Sequence, residues 1–327
     1  MALTKLLELD PTTYEPHRLH QSERIWNETN CYVDLWIEVL HSLGLEPLAA
    51  AAFTLATDFE TEQWTFFKFP PEELQTLFGI RVYEMNPWRT VLEHVIDHLA
   101  SGRLITVEVD AWYLPDTAGV AYRRAHTKTT IVPNAVDPEQ RRLGYFHNAS
   151  YFELEGDDFD GVFRLGDFSP DVLVPYVETI RLDLLERPSH DELIERAKRS
   201  LARQLELMPD QNPIVRLRER TLGDVEWLQS VGLDGFHLWA FGMFRQCGSS
   251  AEVAAEHLTW LSANGGDEVG FLIAADALRS IAQGCKSLEF SMARAARGRT
   301  VDVSSTFDEM EQSWATARTA LVSGYER

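Results

Sequence analysis

Strand-forming patterns occupy the first half of this chain and stop near Phe168-Ser169-Pro170. From Asp171 onward every apolar run recurs at helical spacing: Val172 to Leu185, His190 to Met208, Ile214 to Val231, Phe236 to Cys247, Ala251 to Leu261, Asp267 to Ala295 and Ser305 to Tyr325. Such a chain does not alternate strand and helix into a doubly wound parallel sheet. It is expected to be α+β, with residues 1–168 forming a mixed domain and residues 169–327 an antiparallel helical bundle. Ser189-His190-Asp191-Glu192 and Ser304-Ser305-Thr306-Phe307-Asp308 supply cap residues and acidic first turns for two of these helices. No repeat of fixed period is present, which argues against a solenoid.

Within the first half, residues 1–26 read as an irregular arm broken by Pro11 and Pro16. Asn30 then caps a helix from Cys31 to Gly44 that is apolar nearly all round and therefore buried. Pro47 to Ala56 is a second helical stretch, and the aromatic run Gln63 to Phe69 reads as a strand stopped by Pro70 and Pro71. A helix from Glu72 to Phe78, a strand from Ile80 to Tyr83 and an amphipathic helix from Pro87 to Ala100 follow. Leu104 to Leu114, His126 to Val132 and Arg142 to Phe146 are the strongest strands, and Tyr151 to Leu154 and Val162 to Leu165 are expected to extend their sheet.

The 327 residues carry a net charge of −21, which argues against a nucleic-acid or anionic-membrane surface. Neither a signal-like N-terminus nor a spanning segment is evident, so a cytoplasmic location is expected, with no membrane partner. Cys31, Cys247 and Cys285 are too few and too scattered for a disulfide framework or a structural zinc site, and are expected to be reduced thiols.

Cys31 is the residue with the most chemical promise. A thiol in the first turn of a helix meets unpaired N–H groups and the positive end of the dipole, both of which favour the nucleophilic thiolate. It requires a base and a group to orient that base. His126, at the head of a strand, is the expected base, and Asn148 on the next strand is the expected orienting group. His147 points to the opposite face. Asp110 reads either as a turn-forming carboxylate or as a support or substrate-amine contact. A metal set of His126, His147 and Asp110 or Asp116 has no compact ligand pair, so no metal is expected. Asp58, Glu60 and Glu62 form a solvated acidic loop.

The segment Glu28-Thr29-Asn30-Cys31-Tyr32-Val33-Asp34-Leu35-Trp36, with Gln63-Trp64-Thr65-Phe66-Phe67-Lys68, resembles an uncharacterised bacterial family, a domain of unknown function, over most of the chain. Asn30-Cys31-Tyr32 before a helix, the run Leu104 to Pro115, and His126 heading a strand resemble the N-terminal domain of the butirosin-biosynthesis acyltransferase family and the papain-like cysteine peptidases. That second resemblance implies a papain-like fold. It also implies a Cys31 nucleophile with a His126 base, and transfer of an acyl or aminoacyl group from a phosphopantetheine thioester on an acyl or peptidyl carrier protein to an amine or thiol acceptor. No cofactor bound by the chain itself is implied. The papain-type oxyanion glutamine has no counterpart before Cys31, and Asn27 or the Cys31 N–H is expected in its place.

Asn27, Asn30, Asp110, Trp112, Asp58 and Trp64 are the candidate substrate contacts. Arg123-Arg124 and Arg141-Arg142 flank the site in sequence and offer charge to an acidic carrier. The alternatives are a cysteine peptidase, amidase or thioesterase, and a non-catalytic papain-like binding partner of a carrier protein. The helical half is expected to cover a cleft, supply an acceptor pocket or mediate homodimerisation.

Overall fold

The computed structural model describes residues 3–21, 24–166, 173–265 and 269–325. They form two compact units, each assembled from separated stretches of chain. Met1–Ser22, Asn30–Pro47 and Pro71–Arg187 make the first, and Glu23–Thr29, Leu48–Pro70 and Pro188–Arg327 make the second. The chain is α+β, with its sheet in the first unit and its long helices in the second.

The first unit is built on a seven-stranded antiparallel sheet. Its strands are β1 (Thr4–Lys5), β2 (Arg81–Met85), β3 (Leu104–Asp110), β4 (Lys128–Asp137), β5 (Arg142–His147), β6 (Ser150–Glu155) and β7 (Val177–Arg181). They run in the order β2-β7-β3-β4-β5-β6, with β1 paired to β4. Besides the single helical turn Arg18–Gln21, four longer helices accompany the sheet: α1 (Cys31–Ser42), α2 (Pro71–Phe78), α3 (Val91–Ala100) and α4 (Asp157–Phe163). Helix α1 packs on β4, β5 and β6, while α3 packs on β1, β3 and β4.

Helix α1 begins where Asn30 Oδ1 accepts the N–H groups of Tyr32 and Val33, and it ends where Gly44 takes a φ of +72°. Every residue from Tyr32 to Leu40 is buried, including Asp34 and Glu38. Two carboxylates one turn apart in a core would cost several kcal/mol each unless donors met them. The N-terminal arm provides those donors. Tyr14 Oη donates to Glu38 Oε2 at 2.5 Å, His17 N–H donates to Oε1 at 3.0 Å, and His20 bridges Glu38 and Asp34. Burial pushes the His20 pKa down, but hydrogen bonds and charge from Asp34 and Glu38 more than reverse this and hold it up at about 9.

Several strand expectations fail for local reasons. Val162 to Leu165 lies not in a strand but at the end of α4 and just beyond it, where three aspartates in the first turn favour a helix and Phe159, Val162 and Phe163 are buried. Val172 to Leu185 is not helical where it is described; β-branched Val177, Thr179 and Ile180 belong to β7. Phe168-Ser169-Pro170 lies outside the described residues. In the run Gln63 to Phe69, only Gln63–Trp64 pairs, with Phe59–Glu60. Phe67 and Phe69 instead pack around Phe53 of the 3-10 helix Pro47–Ala56. Strand β4 continues through Pro133 to Asp137, with a register irregularity between Pro133 and Ala135 that accommodates the imide.

The second unit contains α5 (His190–Glu206), α6 (Pro213–Gly223), α7 (Val225–Ala240), α8 (Gln246–Gly265), α9 (Val269–Ala296) and α10 (Ser304–Tyr325). Ile214 to Val231, expected as one helix, is divided at Asp224, which ends α6 and precedes α7. Asp267 lies outside the described residues. Glu252 of α8 is buried and accepts the Ile25 and Trp26 N–H groups at 2.9 and 3.0 Å. The Trp26 indole fits over Gly248, where an added Cβ would lie 2.4 Å from its Nε1. Among the described residues no helix is long and apolar enough to cross a membrane.

Two outcomes follow from these contacts. A His whose folded pKa is raised stabilises the protein fully below its ordinary 6.5, and this contribution is lost as pH rises through about 9. Thermal melts from about pH 6 to about pH 10 are therefore expected to show a steeper fall in Tm for the wild type than for His20→Gln. Gly248→Ala is expected to destabilise by about 2 kcal/mol or more in denaturant titration, because the indole must leave its seat.

Candidate functional site

Asp110 closes β3 and makes two bonds there. Its Oδ1 accepts the Trp112 N–H at 3.0 Å, turning the chain into a short 3-10 helix at Ala111–Tyr113 and ending the strand sooner than its composition suggests. Its Oδ2 lies 2.5 Å from Nδ1 of His126. The pairing of Asp110 with Lys128, and a bond from Ala111 N–H to Thr127 O at 2.8 Å, bring the two side chains together across adjacent strands. The Trp112 indole stacks on the imidazole, with ring centroids 4.6 Å apart and planes 10° from parallel.

The intervening loop is anchored by Tyr122 and Arg123, which both donate to Asp158. Gly161 of α4 gives the neighbouring Tyr113 its place, since a Cβ there would lie 2.0 Å from the Tyr113 ring. Trp112 therefore stands on a supported turn.

His126 is open to solvent, its side chain 68% exposed. With Nδ1 facing a carboxylate, Nε2 has no partner among the described residues and is the nitrogen available to take a proton. The pair borders a cleft of about 530 Å³ whose walls include Glu84, Glu108, Lys128 and Tyr176. Lys128 Nζ is paired with Glu108 at 2.7 Å, whereas Glu84 has no partner among the described residues.

Cys31 occupies the first position of α1 and is partly exposed. Asn30 satisfies the N–H groups of Tyr32 and Val33, and the Cys31 N–H has no acceptor among the described residues. The start of the helix is tied to the sheet by Glu178 of β7. Tyr32 Oη and Thr106 Oγ1 donate to its Oε2 at 2.7 and 3.1 Å, and Tyr176 Oη donates to its Oε1 at 3.0 Å. Burial, then the Glu178 charge, raises the Tyr32 pKa and pushes Tyr176 up to about 12, so both hydroxyls remain protonated donors at neutral pH. Among the described residues no hydrogen bond joins the Cys31 thiol to His126, and Cys31 does not line the cleft.

The other candidates fall elsewhere. Asn148 sits in the two-residue turn between β5 and β6 with φ at +46°, a conformation asparagine tolerates well. The carboxylate of Asp110 is the group on His126. His147 is buried and uses both ring nitrogens, Nδ1 to Asp116 at 2.5 Å and Nε2 with Thr129 Oγ1 at 2.8 Å. His126 with Asp110 and His147 with Asp116 are thus two separate pairs.

Asn30 is a buried cap rather than an open substrate contact. Asn27 is exposed in a segment of the second unit. Asp58, paired with Arg216, and buried Trp64 also belong to that unit. Glu178 is not among the candidates the sequence offers, because Val172 to Leu185 has helical spacing; the alternation of β-branched residues around one carboxylate in Val177-Glu178-Thr179-Ile180 is the signal that points to it.

The DUF1839 N-terminal domain model matches residues 15–182, and the DUF1839 C-terminal domain model matches residues 190–323. The chain belongs to the DUF1839 family. No curated protein matches it. In this DUF1839 chain Cys31, Asp110, Trp112, His126 and Glu178 all fall within the matched N-terminal domain.

Exposure separates the two histidines of the sheet. Diethylpyrocarbonate followed by peptide mass mapping is expected to carbethoxylate His126, 68% exposed, while His147, 1% exposed, stays protected until the protein unfolds. Trp112→Ala is expected to speed modification of His126 further by uncovering one ring face.

Proposed function

We propose that this DUF1839 protein is a cysteine-dependent acyltransferase with a papain-like catalytic arrangement in its N-terminal domain. The observation that carries the reading is the Asp110 carboxylate on Nδ1 of an exposed His126, which leaves Nε2 for proton transfer at the edge of a cleft. Cys31 is the nucleophile. His126 takes its proton as substrate draws the two together, since catalytic hydrogen bonds are often long before substrate binds. The thiolate attacks a thioester carbonyl, the C–S bond to the carrier thiol breaks, and that thiol leaves with the proton held by His126.

The unpaired Cys31 N–H is the donor available to the oxyanion, in place of a glutamine side chain. An amine or thiol acceptor then resolves the acyl-enzyme, with His126 again moving the proton. The acyl or aminoacyl group arrives on the phosphopantetheine arm of an acyl or peptidyl carrier protein. The cleft, about 530 Å³, suits the small-molecule acceptor.

A second reading is hydrolysis by water activated on His126 and Asp110 without Cys31. It is favoured by the cleft walls, which include His126 and Asp110 but not Cys31.

Intact-mass analysis after incubation with acyl carrier protein thioesters is expected to show an acyl adduct on the wild type and none on Cys31→Ala. Asp110→Asn and His126→Ala are expected to slow adduct formation by about 100-fold or more. Release of free acid by Cys31→Ala at the wild-type rate would instead establish the water mechanism.

A further inference from the structure

The second unit holds a groove that this chemistry does not use. The hairpin Phe59–Glu60/Gln63–Trp64, the end of α6 and the irregular helix α7 enclose about 410 Å³, with Glu62, Gln63, Asp224, Trp227, Leu238 and Trp239 on the walls. Two departures from regular helix concentrate beside it. Gly232 breaks α7 with a φ of +64°, and the turn Phe241–Arg245 that follows is π-wound. In that turn Gly242 closes against Gln63, where an added Cβ would lie 3.2 Å from Oε1. Irregular turns of this kind cost stability and gather where a surface is shaped for binding.

The walls combine exposed apolar side chains with acceptors that lack donors. Leu238 is 81% exposed and Trp227 48%, side by side with a concave surface. Asp224 is only 8% exposed. Its Oδ2 takes both Arg220 Nε and Trp239 Nε1 at 2.8 Å, and no described residue donates to Oδ1. At the rim, the Glu62 carboxylate also has no partner among the described residues. Arg220 balances the charge of Asp224, so Glu62 leaves the groove negative. Unmatched carboxylate oxygens beside an indole face select a ligand that brings N–H donors and positive charge on an apolar body.

We infer that this groove binds an organic cation, a primary or secondary amine on an apolar body. Its N–H groups meet Asp224 Oδ1 and Glu62, and its body lies against Trp227 and Leu238. The site is independent of the acyl-transfer reading, because it uses no residue of the first unit.

Isothermal titration of the full chain with 2-phenylethylamine, 2-phenylethanol and phenylacetate tests it. The amine is expected to bind, the alcohol to bind at least about tenfold more weakly, and the acid not to bind. Glu62→Gln is expected to weaken the amine by about fivefold and Trp227→Ala by about tenfold. Both replace exposed or half-exposed side chains, and unchanged thermal melts verify that the fold is kept. Equal affinity for amine and alcohol, unchanged amine affinity in both variants, or no amine binding up to about 10 mM would overturn the assignment.

Discussion

Glu38 is an ionisable carboxylate in the middle of a helix with no solvent-facing side, and it determines how the first unit is put together. A charge there is tolerable only if donors surround it. The arm around Tyr14, His17 and His20 brings a hydroxyl, a backbone N–H and an imidazole to that one side chain. At the start of the same helix, Glu178 gathers three hydroxyls, one of them from Tyr32, the residue after Cys31. Helix α1 is thus held by two carboxylates, Glu38 within it and Glu178 beside its start, that are met by hydroxyls, a backbone N–H and an imidazole. Bonds of this type are directional, so they fix where the helix starts as well as that it is buried.

Asp110 shows the same use of one carboxylate for two purposes. By capping the turn that carries Trp112 and facing His126 at once, it couples the path of the chain to the orientation of the imidazole. The indole that results from the turn then covers one face of that ring. The geometry of this site is consequently a property of a strand end, which the sheet holds, rather than of the loop between β3 and β4.

Much of this was legible in the residues. Asn30 before a dense apolar run identified the cap and the buried helix, and the β-branched content of Leu104 to Val109 identified a central strand. The α+β class followed from the same patterns. What escaped were features decided across the sheet. Asn148 follows His126 in sequence and so looked like its partner, but antiparallel pairing sets Asp110 opposite Lys128 and next to His126. Strand β7 was hidden because five residues bounded by charged and proline-rich stretches give too short a window for period to decide. The aromatic run after Trp64 had strand composition but no strand partner, and its rings pack instead around Phe53.

The seat of Trp26 also bears on the order in which the protein comes into being. Residues 24–26 are made more than two hundred residues before their acceptor, Glu252, and before the bare backbone that admits the indole, Gly248. At about 5–20 residues per second, that interval is on the order of tens of seconds. Through this time an indole and two backbone N–H groups wait without their native partners. The second unit is therefore closed by a piece of chain more than two hundred residues older than the helix that receives it.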